Sequence, residues 1–179
     1  MGATPIAVPQ PTPEEESSNW GASQLPLIVI VLASFVLRLV ATLGYAGFID
    51  GEGSEYARIA QNLLSGVGYV GIATEGKQLF FPPLYPLLIA GITLTTGDAE
   101  ISARLVSLVS GTLLVLPVYF IARRLYGELV GLGASALVGA HPFLIWFSTT
   151  AFCEQFYMVL VLTAIYLTMR SHAYRLSSG

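Results

Sequence analysis

The residues able to do chemistry gather in a few places. Asp50, Glu52 and Glu55 form an acidic cluster, Glu154 stands far downstream, and Arg38, Arg58, Lys77 and Arg104 are candidate cations. A carboxylate held near a low-dielectric surface has a raised pKa and can take a proton from a hydroxyl. The Asp50–Glu55 cluster therefore reads either as a solvated loop or as a source of a general base or metal ligand. Glu154 lies within Thr149-Thr150-Ala151-Phe152-Cys153-Glu154, beside apolar runs. It is either a carboxylate snorkelling to the interface or a functional group, because ionisable side chains at membrane depth are costly and are kept for a use. Lys77, the sole lysine, is either solvated or a phosphate ligand. Arg38 interrupts an apolar run, so it must face protein or a polar cavity, as half of an ion pair or as a phosphate contact.

The solvent of these groups follows from composition. Of 179 residues, 54% are hydrophobic and only 11% charged, against about a quarter charged in a soluble domain; the mean hydropathy is +0.70. Lipid is the main solvent, and the chain is an integral membrane protein. The net charge of -3 and the lack of a basic stripe exclude nucleic acid as a partner. One cysteine, Cys153, allows no intrachain disulfide.

The elements that position the site are helices. Residues 1–24, with Pro5, Pro9, Pro11, Pro13 and Glu14–Glu16, read as a disordered cytoplasmic tail. Residues 25–175 read as one membrane module. Leu25–Gly44, Ile101–Ala122 and Leu129–Phe147 are long enough to span, since crossing takes ~20 residues. Phe156–Met169 spans if Thr149–Gln155 forms its upper end. Pro82–Gly97 is apolar but short and opens on Pro82-Pro83, so it is re-entrant or interfacial. The predicted fold is all-α: a polytopic bundle of about four transmembrane helices.

Between the first and second spans, Tyr56, Ile59, Ala60, Leu63 and Leu64 recur at helical spacing, with Glu55, Arg58, Gln61 and Asn62 opposite. That pattern predicts an amphipathic helix over Ser54–Ser65, lying on the membrane surface, capped by Ser54 and ended by Gly66. Arg123-Arg124 and Arg170/Arg175 cap two spans on one side, which the positive-inside rule makes cytoplasmic. Glu52 and Glu154 then share the outer face.

Other signals are structural. Gly66-Val67-Gly68-Tyr69-Val70-Gly71 matches GxGxxG but follows a helix rather than a strand, so it is no dinucleotide site. Gly127, Gly131, Ser135 and Gly139 recur every fourth residue as a packing stripe. His141-Pro142 predicts a helix kink with a satisfied histidine, and Cys153 a small apolar residue. Phe80-Phe81, Tyr85, Trp146 and Phe147 fit an interfacial aromatic belt, with sugar stacking as the alternative.

The run Asp50-Gly51-Glu52-Gly53-Ser54-Glu55-Tyr56-Ala57-Arg58-Ile59-Ala60, with Asn62 to Tyr69 after it, resembles the first outer loop of polyprenyl-phosphate-sugar-dependent glycosyltransferases of the glycosyltransferase C superfamily. The nearest branch is the protein O-mannosyltransferase and lipid A aminoarabinose transferase group. Pro82-Pro83-Leu84-Tyr85-Pro86, Arg104-Leu105-Val106-Ser107, Pro117-Val118-Tyr119, Arg123-Arg124-Leu125-Tyr126-Gly127 and His141-Pro142 with Ser148-Thr149-Thr150 and Glu154 continue the likeness in order. Family members are far longer, so the chain reads as an N-terminal portion.

The resemblance implies a polyprenyl-phosphate-linked sugar as donor and a hydroxyl acceptor (glycan, lipid or protein) at the outer face, in the bacterial inner membrane. It implies catalytic Glu52 or Asp50, a second acidic site at Glu154, and Lys77, Arg58 and Arg104 as cations for the donor phosphate. The cofactor stays open, with a divalent cation as one possibility. The family usually has aspartate where Glu52 stands, and the aminoarabinose branch has lysine where Phe81 stands. The competing reading is a non-catalytic assembly partner or transporter fragment; the absence of an internal repeat and the clustering of polar groups at one face argue against a transporter.

Overall fold

The computed structural model describes residues 13–45, 47, 49, 51–73 and 76–177 of the backbone, with side chains from residue 24 to residue 171. The element order is α1 (Pro13–Gly44), α2 (Gly51–Leu64), α3 (Leu84–Thr96), α4 (Ala99–Leu113), α5 (Val115–Tyr126), α6 (Glu128–Ala140), α7 (Pro142–Thr150) and α8 (Glu154–Ser177). The chain forms an all-α membrane helix bundle. Among the described residues two helices are long and apolar enough to cross a membrane, Gln24–Gly44 and Ala99–Tyr126. Glu128–Ala140 and Pro142–Thr150, bent by 47°, make a third if they act as one span. The 24-residue α8 is long enough by rise, but Glu154 and Gln155 make its first turn polar. At 13 residues, α3 reaches ~20 Å and falls short of a ~30 Å hydrocarbon core.

Several boundaries differ from the sequence reading. α1 begins at Pro13, so residues 13–24, read as disordered tail, are helical; residues 1–12 lie outside the described residues. Propagation explains this: once the apolar span has nucleated, each further residue adds a hydrogen bond at little cost. Pro13 stands at the first helical position, where its missing N–H would be unpaired anyway.

The helix α2 starts at Gly51, not Ser54. Ser54 does not cap it; its hydroxyl donates to the Gly51 carbonyl at 2.8 Å. Gly66 does end it, at φ +80: Val67 N–H bonds Asn62 O at 3.0 Å and Gly66 N–H bonds Leu63 O at 3.3 Å, a Schellman pattern. The apolar face of α2 is not laid on lipid. Tyr56, Ile59 and Ala60 are buried, because α3 and α4 pack across them.

The bundle has two distinct ends. Ala99–Tyr126 is a continuous rod of 28 residues, ~42 Å by helical rise. Arg104, near its start, donates to Thr149 O at 3.1 Å and Gly47 O at 2.6 Å. This gathers the loop after α1 and the α7–α8 turn at that end. At the far end Arg123 pairs with Glu128 at 3.4 Å. Phe120 stacks on Tyr166 of α8 with centroids 5.3 Å apart, so the C-terminal part of α8, with Arg170, runs toward the Arg123-Arg124 end.

The predicted break at His141-Pro142 is present, with His141 at ψ 119, although the histidine side chain is exposed rather than satisfied in the core. Gly131, Ser135 and Gly139 of the small-residue stripe are the buried residues of α6. Phe80 and Trp146 are exposed as a belt requires. Tyr85, by contrast, is fully buried, and Phe81 stands edge-on to Tyr56 at 4.9 Å. Both pack in the core, because α2 covers the face they would have shown to lipid.

Candidate active site at one end of the bundle

Glu52 stands in the first turn of α2, where the helix dipole favours negative charge. Its neighbour Gly53 explains where that turn sits: a Cβ there would overlap the carbonyl oxygen of Thr150 and lie 3.5 Å from Ala151 Cβ. Only a residue without a side chain lets α2 touch the α7–α8 turn this closely. One turn further, Tyr56 Oη lies 3.0 Å from Cys153 Sγ. The turn itself reverses through Ala151 at φ 61 and is pinned from below. Tyr85 Oη donates to Ala151 O at 3.1 Å, and Ser107 Oγ donates to Phe152 O at 2.9 Å.

These contacts put Glu52 and Glu154 at the same end of the bundle. Burial pushes the Glu154 carboxyl above the usual carboxylate range; its own backbone hydrogen bond opposes this, and the charge of Glu52 adds to it. Glu154 Oε2 and the phenol oxygen of Tyr157, one turn along α8, are buried with no hydrogen-bond partner among the described residues. Burial, then the Cys153 thiol and the charge of Glu52, push the Tyr56 phenol far up. Burial also raises the Cys153 thiol, against the hydrogen bond with Tyr56. The arrangement is two acidic side chains, one of them partly desolvated, at the same end as a set of hydroxyl and thiol groups.

The remaining sequence candidates separate. Asp50 lies outside the described residues. Arg58 and Lys77 are exposed. Arg104 is at the right end but occupied: besides Thr149 and Gly47 it pairs with Glu100 at 2.8 Å and lies 5.5 Å from the Tyr45 ring centroid. Glu55 is not on a solvated face. It is buried and accepts from the Ile72 amide, from the Ala73 amide at 3.0 Å and from Gln78 Nε2 at 3.0 Å. The loop after α2 folds back over it, and Val70 pairs with Lys77 as an antiparallel bridge. Among the described residues no group of three or more His, Cys, Asp and Glu is placed to hold a metal ion.

Arg38 faces protein, as its cost in lipid demands. Its guanidinium is fully buried and donates to the Ser34 hydroxyl and to Gly139 O at 2.7 Å. Sequence reasoning did not single out Gly53, Tyr56 as a thiol partner, Tyr157 or Gln155. Gln155 had a legible signal: it is an amide following Glu154 at the mouth of an apolar run, and it is fully buried.

Neither the comparison with curated proteins nor that with solved structures returns a match. The sequence model for dolichyl-phosphate-mannose-protein mannosyltransferase matches residues 81–177, which include Arg104 and Glu154 but not the acidic cluster around Glu52. That match covers more than half of the 179 residues, and with the all-α membrane bundle it means that the chain belongs to the dolichyl-phosphate-mannose-protein mannosyltransferase family, a membrane glycosyltransferase family of the glycosyltransferase C type.

Proposed function

We propose that the chain serves transfer of a sugar from a polyprenyl-phosphate donor to a hydroxyl acceptor at the outer membrane face. What supports this reading is that α2, which carries Glu52, touches the α7–α8 turn next to Glu154, in a chain of this family. Glu52 is the general base, with Asp50 as the alternative. It takes the acceptor's hydroxyl proton while that oxygen forms its bond to the anomeric carbon. The bond from the anomeric carbon to the phosphate oxygen breaks, and its electron pair leaves with polyprenyl phosphate. The leaving group needs cationic stabilisation rather than an acid. Arg58 and Lys77 are exposed and available for it, whereas Arg104 is committed to Glu100 and Thr149. Glu154, kept partly out of water, orients the acceptor hydroxyl. A divalent cation would find two oxygen-donor side chains in Glu52 and Glu154, fewer than the six or more ligands such ions take, with water or donor phosphate to supply the rest.

Orientation follows from the charge bias: the Arg123-Arg124 end is cytoplasmic, and the Glu52–Glu154 end faces outward, as in the plasma membrane of a bacterium. The test is sugar transfer from a polyprenyl-phosphate donor by membranes carrying the protein. Glu52→Gln keeps the shape and removes the base, and transfer falls by roughly a hundredfold or more. Full activity in both Glu52→Gln and Asp50→Asn rules out the assignment.

A further inference from the structure

The broken third span leaves a carbonyl that its own helix does not use. α6 ends at Ala140, and His141 leaves the helical path at ψ 119. Pro142 has no N–H, and the last backbone bond is His141 N–H to Val138 O at 3.4 Å. The carbonyl of Gly139 instead accepts from Arg38 Nη1 of α1 at 2.7 Å. The other edge of the guanidinium, Nε and Nη2, is buried with no partner among the described residues. It lies against Gly111 beside Gln155: a Cβ on Gly111 would come within 2.6 Å of both Arg38 Nε and Gln155 Oε1. Gln155 in turn accepts from Ser148 Oγ at 2.8 Å and donates to Leu144 O at 2.7 Å, so it holds the start of α8 to α7. Its neighbour in sequence is Glu154.

We propose that Arg38 is a positioning residue for the carboxylates at the outer end. It locks the α6–α7 break from α1 and backs Gln155 across the bare Cα of Gly111. It thereby sets the height and direction of the α7–α8 turn that carries Glu154. The side-chain types fit this role. A buried cation inside a bundle is costly and is kept for a use; here Nη1 answers the Gly139 carbonyl while the other edge packs at Gly111 and Gln155. A guanidinium reaches in two directions at once, toward Gly139 and toward Gln155, whereas an ammonium serves one point. A break at proline with an unanswered carbonyl would otherwise leave α7 free to change its angle.

The catalytic readout of this proposal rests on the function proposed above; a structural readout does not. Cys153 is the only cysteine, is buried and sits next to Glu154, so the rate of its alkylation by a membrane-permeant maleimide reports opening of the turn. In the full chain in membranes, Arg38→Met raises that rate about tenfold, as a loss of local protection does. It also lowers kcat for sugar transfer with little change in KM. Arg38→Lys, which keeps a donor for Gly139 O but gives up the contact at Gly111 and Gln155, falls between the wild type and Arg38→Met in both. Gly111→Ala, which drives Arg38 and Gln155 apart, behaves like Arg38→Met. Wild-type alkylation in folded Arg38→Met overturns the proposal, and so does an equal defect in Arg38→Lys. Should Arg38→Met fail to fold, wild-type alkylation in Gly111→Ala overturns it alone. Faster alkylation in a protein whose wild type transfers no sugar supports the positioning role and refutes the function reading instead.

Discussion

The phenol of Tyr56 lies 3.0 Å from the thiol of Cys153, across a sequence separation of 97 residues. The contact ties α2 to the α7–α8 turn one helical turn below Glu52 and one residue before Glu154. It brings the segments that carry two distant acidic residues together at one end of the bundle.

Removing the hydroxyl tests that tie. Tyr56→Phe keeps the ring against Phe81 and Tyr85, both 4.9 Å away, and deletes only the polar contact. A loss of about 1 kcal/mol is expected, the usual net worth of a neutral hydrogen bond. Thermal unfolding in detergent measures it; an unchanged midpoint means that the contact carries no stability.

Gly53 admits no side chain. Its Cβ position overlaps the Thr150 carbonyl, so Gly53→Ala forces α2 off the turn, at about 1–3 kcal/mol for overpacking a tight contact. Because Glu52 moves with it, transfer activity drops more than stability does. Wild-type stability and activity in Gly53→Ala would show that α2 does not need this approach.

The raised pKa of Glu154 makes stability depend on pH. A carboxyl whose folded pKa lies above its unfolded value favours folding in the protonated form; that contribution is complete below the unfolded pKa and is lost as pH rises through the folded one. From acid toward neutral pH the wild type therefore loses stability relative to Glu154→Gln, which cannot ionise. Paired melting curves across that range check the sign, and parallel curves count against it.

Glu55 clasps the loop that follows α2. Glu55→Ala removes the acceptor of two amides and of Gln78, and about 2–3 kcal/mol is expected for losing bonds to a charged acceptor. Limited proteolysis between Gly71 and Gln78 reads the loosened loop. Unchanged protease resistance would mean that the loop is held by other contacts.

Orientation is decided by labelling. In a Cys153→Ser background, Lys77→Cys reacts with an impermeant thiol reagent applied outside, and Leu129→Cys, which is 84% exposed in the bundle, does not. The reverse pattern inverts the proposed topology.

Local composition and period are enough for several of these features. An apolar run such as Leu25–Gly44 can only be a helix when lipid is the solvent, because every backbone amide must be bonded within the segment. Pro142 must break a helix for lack of an N–H. Gly66 accepts a positive φ that residues with a Cβ resist. The family likeness was also legible, since its motifs keep their order along the chain. What only the tertiary structure decided is which polar group meets which. Helical period put Glu55 beside Arg58 on a wet face; Ile72, Ala73 and Gln78 came to it from the following loop and made it a buried acceptor. Arg104 had the charge for a phosphate, yet Glu100, Gly47 and Thr149 take its donors. The height at which Glu154 stands depends on Gly53, Tyr56, Gln155 and Arg38, drawn from three helices. Periodicity records which face of a helix avoids water, whereas a buried charge is answered by groups brought from elsewhere in the chain, and their approach is set by packing rather than by spacing.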